Sequence, residues 1–212
     1  MFVDGQRRLR ARSPNDGYHR VGEAFGKDRT RFRFKETDVA NWKNLEDVEI
    51  VFLHDWEIAR VKLARVDAAS KVVFFQHPVG HQNLDFTTFA GFEPNQRYYL
   101  ENALEFVDNQ GEWYFDRTTG VLTYQGMIAE DMTKSQAVVP VAARLISING
   151  TLLEPVRNLV FRGVVFEHTE FPLPPVGYHG VQAGHHGVKG DSWELLPAAI
   201  EMEAAVGCRI ED

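Results

Sequence analysis

The chain has 212 residues, 44% of them hydrophobic, with 23 Lys and Arg against 30 Asp and Glu and a formal net charge of -7. That apolar share supports a packed core, while the acidic balance excludes binding driven by neutralising nucleic-acid phosphates. A single cysteine, Cys208, excludes an intrachain disulfide and a cysteine-based zinc cluster. No apolar run approaches the roughly 18 residues of a membrane-spanning helix, and the N-terminus lacks the basic-then-apolar layout of a signal peptide.

In chain order, residues 31–34 suggest a first short strand. Residues 48–58 read as one strand, because Val48, Ile50, Phe52, His54, Trp56 and Ile58 form a period-2 stripe with a mixed face opposite. Residues 61–66 and 71–75 are predicted strands, joined into a hairpin by the polar stretch 67–70. Tyr98, Leu100 or Glu101, Leu104 and Val107 repeat at helical spacing and predict a helix over 97–107. Residues 112–115 and 121–124 flank Asp116-Arg117-Thr118-Thr119-Gly120, a second hairpin in which glycine supplies a positive φ. Residues 12–140 therefore read as a compact, mostly antiparallel β domain with a short helix. Helix is expected in under about a quarter of the chain.

The C-terminal part has a different rhythm. Ile146 and Ile148 match Ile200 and Met202, and Leu159 and Phe161 match Cys208 and Ile210. The shared unit is two short strands per turn of chain joined by an Asn or Gly corner. It cannot bury its apolar face alone, which implies about two stacked coils of a parallel β-solenoid. Residues 169–197 lie between the copies as a long structureless excursion rich in Pro, Gly, His and aromatics.

That excursion and its approach concentrate His168, Tyr178, His179, Gln182, His185 and His186. Aromatic faces stack on the apolar side of a sugar ring, while His and Gln donate and accept in the plane of its hydroxyls. The segment is either the rim of a saccharide cleft or an ordered loop whose histidines hydrogen-bond backbone. His54 and Trp56 share one strand face and either reach the same cleft or belong to the core. Adjacent His185 and His186 do not aim at one ion, and no helical His-x-x-x-His accompanies them, so no metal is expected. No P-loop, dinucleotide fingerprint or nucleophile elbow is present, so no cofactor is expected either.

Phe2-Val3-Asp4-Gly5-Gln6-Arg7, Ala11-Arg12-Ser13-Pro14-Asn15 and the stretch from Gly111 through Trp113 and Asp116 to Leu122 resemble the right-handed β-helix proteins typified by glycoside hydrolase family 141. So do the stretch from Asn158 to Thr169, Gly177-Tyr178 and Gly180-Val181-Gln182-Ala183-Gly184. The resemblance implies a residual β-helix segment at 1–11, a β-rich insertion domain at 12–140, and the start of a right-handed parallel β-helix at 141–212. It further implies a carbohydrate substrate, a secreted or periplasmic parent of which this chain is a piece, and a pair of acidic residues hydrolysing a glycoside. That pair is expected on later coils, so no catalytic residue is assigned. Glu167, Asp191, Glu201 and Glu203 are the acids on or near the solenoid part, and outward-facing solvated acids are the alternative reading of each. A non-catalytic carbohydrate-binding or structural module and a polysaccharide lyase are the competing functions. An exposed last coil, with unpaired backbone groups, implies a homodimer or higher oligomer through the C-terminal coils, or else disorder in the last residues.

Overall fold

The computed structural model describes residues 1–25, 28–54, 57–80, 95–181, 184–189 and 192–212. The chain opens with the short strands β1 (Phe2–Val3), β2 (Gln6–Arg7), β3 (Leu9–Arg10), β4 (Arg12–Ser13), β5 (His19–Arg20), β6 (Glu23–Ala24) and β7 (Arg31–Arg33). The strands β8 (Glu49–Leu53), β9 (Glu57–Asp67), β10 (Val72–Phe75) and β11 (Arg97–Glu101) follow, then β12 (Glu112–Asp116), β13 (Val121–Tyr124) and β14 (Ala137–Val138). Next come β15 (Ile146–Asn149), β16 (Val156–Arg157), β17 (Val160–Arg162), β18 (Tyr178–Val181), β19 (Gly184–Lys189) and β20 (Ser192–Leu195). The last three are β21 (Ile200–Glu203), β22 (Ala205–Val206) and β23 (Arg209–Glu211). Among the described residues the helical content is two 3-10 turns, Leu45–Asp47 and Leu104–Phe106, and no sheet closes into a barrel. No helix among them is long and apolar enough to cross a membrane.

The large sheet is built around β9. Its first half pairs antiparallel with β8 and β18 and its second half with β10, while β11 lies beyond β8 and carries β4 and β5 on its far side. Alternation along these strands makes the core. Ile50 and Phe52 face Val61 and Ala59 on one side and Leu100 and Tyr98 on the other, and all six are at most 1% exposed. Phe32 from β7 closes over them, with its ring 5.8 Å from Phe52 and 5.1 Å from Tyr98, both edge to face. Full burial of each of the Ile, Val, Leu and Phe side chains contributes about 1.5–3 kcal/mol of transfer free energy, and the edge-to-face geometry aligns positive ring edges with negative faces.

Two sequence expectations are corrected here. The stripe over 48–58 belongs to two strands, since β8 and β9 pair antiparallel with Leu53 opposite Ile58. Ile58 consequently lies on the face away from Phe52. Residues 97–101 form β11 rather than a helix, because Tyr98 and Leu100 alternate into the core at 0% exposure while Arg97, Tyr99 and Glu101 turn outward. Asn102, at φ 71°, ends the strand, and Leu104, which a helical stripe would bury, is 51% exposed. The two predicted hairpins form as expected. In each, an aspartate at the turn accepts from two backbone N–H groups: Asp67 from Ala69 and Ser70, Asp116 from Thr118 and Thr119.

The internal repeat appears as parallel pairing between two passages of chain. Ile146 pairs with Ile200, Ile148 with Met202 and Phe161 with Ile210. A third pair, β16 with β22, makes three strands per passage instead of two. At one corner Asn158 (φ 58°) and Gly207 (φ 67°) stack in the left-handed region, where a Cβ on Gly207 would lie 2.7 Å from Asn158 Oδ1.

The excursion over 169–197 also departs from expectation. Instead of a structureless loop it contains the meander β18–β19–β20, whose first strand adds to β9. Two glycines permit this docking. A Cβ on Gly177 (φ 91°) would lie 2.7 Å from both Arg60 O and Val61 Cγ1, and one on Gly180 would lie 2.6 Å from the Tyr178 hydroxyl. The segment between the two parallel passages is thereby hydrogen-bonded to the antiparallel sheet.

Candidate functional site

The outer side of β11 carries an aromatic and cationic edge. Arg12 pairs with Glu101 and Arg20 with Arg97 across the sheet, so strand alternation puts Arg12, Arg20, Arg97, Tyr99 and Glu101 on the face opposite the core. The Tyr99 ring lies 6.4 Å from that of Tyr18, and Tyr18 is 42% exposed. The Arg12 guanidinium sits 4.1 Å from the centre of the Tyr99 ring, and that of Arg97 sits 5.5 Å from the Tyr18 ring. Arg12 also donates to the carbonyls of Pro14 (3.0 Å) and Gly17 (2.9 Å), which fixes the turn that presents Tyr18. Burial, followed by the Glu101 charge, raises the Tyr99 phenol above its ordinary range, so it stays a neutral hydroxyl. Apolar ring faces beside planar donors suit a polyhydroxylated ring, which has one apolar side and an equator of hydroxyls.

Beside this edge lies a lattice of alternating charge. Glu49, with a side chain only 3% exposed, accepts from Arg10 and Arg60 at 2.8 Å each, and Arg60 also pairs with Glu101. Burial pushes the Glu49 carboxyl up, but the charges and hydrogen bonds of Arg10 and Arg60 outweigh it and hold the group below the ordinary glutamate range. A carboxylate held ionised in this way does not deliver a proton to a leaving oxygen. Glu49 is therefore a structural partner of the arginines rather than the acid of a hydrolytic pair, and Glu101 shares Arg60 with it. A second cluster has the same character: Arg8 donates to the Tyr124 hydroxyl (2.9 Å) and to Glu130, and Tyr124 donates to Glu130 at 2.6 Å.

The residues expected from sequence are distributed around this sheet. His54 directly follows β8 and is half-buried. Trp56, Gln182 and Asp191 lie outside the described residues. Tyr178 and His179 are on β18, opposite Arg60 and Ala59, and pairing with β9 leaves them 7% and 5% exposed. The Tyr178 ring packs edge to face with Phe171 at 5.6 Å, and His179 Nδ1 accepts from the Gly80 backbone N–H at 3.1 Å. His168, in the left-handed region at φ 65°, packs against Phe2 with ring centres 4.3 Å apart and lies 3.5 Å from the Glu167 carboxylate. Glu201 pairs with Arg144 at 2.7 Å, and Glu203 is exposed on the same strand. The structure thus brings Tyr178 and His179 to the large sheet and leaves His168 beside the N-terminal strand. Sequence reasoning missed Tyr18, Tyr99, Arg12 and Arg97. The available signal was the alternation of Tyr98 and Leu100 with Arg97, Tyr99 and Glu101, which the helical reading of 97–107 obscured.

The GH141 insertion domain matches residues 1–126. A solved structure described as a glycoside hydrolase superposes with a TM-score of 0.74 at 20% sequence identity, covering 99% of this chain. The chain spans 41% of the length of that structure. No curated protein matches the sequence.

Proposed function

Because the chain belongs to the GH141 insertion-domain family, which it matches over residues 1–126, we propose that it is the saccharide-contacting part of a larger glycoside hydrolase-like protein acting on polysaccharide. The observation that carries this reading is the exposed Tyr18 beside the half-buried Tyr99, flanked by the guanidinium groups of Arg12 and Arg97. In this reading the parallel passages formed by β15–β17 and β21–β23 begin a right-handed parallel β-helix. Further polypeptide continues that helix and supplies the carboxylate pair that cleaves the glycosidic bond. Such a pair must be held about 5–9.5 Å apart across a cleft, and among the carboxylates here Glu49 and Glu130 are committed to arginines. The parent acts outside the cytoplasm, where polysaccharide is met. The last passage pairs with a second copy when nothing else covers it.

Calorimetric titration with a panel of plant and microbial oligosaccharides tests the reading. Replacing Tyr18 by Ala is expected to weaken binding about fivefold, the loss of one partly exposed stacking contact of about 1 kcal/mol, with little change in melting temperature. Equal affinity in the two proteins would remove the assignment. The chain alone is expected to leave aryl glycosides intact.

A further inference from the structure

Ser13, His19 and Asp38 stand in a line at the core-side edge of the sheet, outside the tyrosine and arginine face. Ser13 Oγ lies 3.2 Å from His19 Nε2, and His19 Nδ1 lies 3.4 Å from Asp38 Oδ1. The other Asp38 oxygen accepts from the Tyr98 hydroxyl at 3.0 Å. Tyr98 is fully buried, and burial followed by the Asp38 charge raises its phenol far above the ordinary range, so it remains a donor. The two imidazole nitrogens therefore face a hydroxyl on one side and an anchored carboxylate on the other, the order of roles in a nucleophile, base and orienting group.

The surroundings favour chemistry over a purely structural bond. Ser13 is half-buried, and the His19 and Asp38 side chains each keep 17% of their exposure, so the cluster is in contact with solvent. The backbone places the three independently: Ser13 and His19 pair with Leu100 and Tyr98 on β11, and Asp38 ends a turn in which its N–H donates to Lys35 O. Between nucleophile and base runs the turn 15–17, held by Arg12 through Pro14 O and Gly17 O. Among the described residues no protein group accepts from the backbone N–H of Asn15, Asp16 or Gly17.

We propose that Ser13, His19 and Asp38 form a second active site that removes acyl esters from saccharide hydroxyls. Ser13 Oγ bonds to the ester carbonyl carbon as its proton passes to His19 Nε2. The sugar oxygen then leaves with the electron pair of the broken C–O bond and takes that proton, which leaves the acyl group on Ser13. Water attacks this acyl-enzyme and gives its proton to His19. Ser13 Oγ departs and is reprotonated, and the carboxylic acid is released. The saccharide half of the substrate rests on the function proposed above, whereas the serine chemistry does not.

The whole chain is incubated with an alkyl fluorophosphonate and mapped by peptide mass spectrometry, and 4-nitrophenyl acetate and glucose pentaacetate are assayed alongside. Phosphonylation at Ser13, with hydrolysis of both esters falling at least tenfold in S13A and in H19A, is the expected result. Absence of label at Ser13 in the unmutated protein overturns the site whatever the variants do, which keeps the test independent of their folding. Ester hydrolysis that survives S13A also overturns it. Cleavage of nitrophenyl acetate but not of the sugar ester overturns the saccharide assignment. Loss of oligosaccharide binding in Tyr18→Ala bears only on the tyrosine edge, so the two proposals fail separately.

Discussion

Glu49 and Glu101 sit directly opposite each other across β8 and β11, and both carboxylates are bound by the same arginine, Arg60. Two like charges in that position repel, and the sheet tolerates them because Arg60 lies between them and Arg10 closes the other side at 2.8 Å from Glu49.

Removing the bridging cation exposes that repulsion. Arg60→Met keeps the side chain's apolar stem but leaves Glu49, with a 3% exposed side chain, short of one partner. The expected loss is about 3 kcal/mol, the usual range for breaking a buried pair. Urea unfolding should show a lower midpoint at unchanged slope. A shift equivalent to less than about 1 kcal/mol would mean that Arg10 alone suffices.

Stability should also fall in acid through Glu49. Its carboxyl is held below the ordinary glutamate range by Arg10 and Arg60 against the opposing effect of burial. A depressed native pKa adds stability at pH above the unfolded value, about 4.3 for glutamate. That stability disappears as pH drops through the native value. Unfolding free energy measured from pH 7 down to pH 3 should therefore decline. Glu49→Gln should start less stable and decline less steeply.

Docking of the meander on β9 depends on Gly177. A methyl group there meets Arg60 O and Val61 Cγ1 at 2.7 Å, and φ 91° disfavours any side chain. Gly177→Ala is expected to release β18 from β9. In hydrogen exchange the amides of β18 should lose protection by at least tenfold, while those of β8 and β11 keep theirs. Unchanged exchange in β18 would show that the strand pairs without this close approach.

The corner at Gly150 makes a parallel prediction for the stacked passages. A Cβ there would lie 2.7 Å from Ala204 O and 2.8 Å from Val156 N, both backbone atoms that cannot swing away. Gly150→Ala should lower stability by about 1–3 kcal/mol, the cost of overpacking. It should also loosen β16 against β22, read as faster proteolysis within 150–157. Gly120→Ala, with nothing within 4 Å of its added Cβ, carries only the strain of φ 72° and should perturb stability less.

Sequence alone determined the features that rest on local period and turn chemistry. The two aspartate-anchored hairpins and the register of the repeat, Ile146 on Ile200 and Ile148 on Met202, follow from alternation and from the copy itself. Tertiary structure decided the rest, because period is ambiguous wherever partner strands compete. Leu100, Leu104 and Val107 fit helical spacing while Tyr98 and Leu100 fit extended spacing, and burial between β8 and the edge strands β4 and β5 selects the strand. The stripe over 48–58 looks continuous, yet pairing of Leu53 with Ile58 splits it between two strands. The site residues were hidden for a related reason. Tyr18 approaches Tyr99, and Ser13 and His19 approach Asp38, only after β11 has gathered separate strands along one edge, and no spacing along the chain encodes a contact made through a third strand.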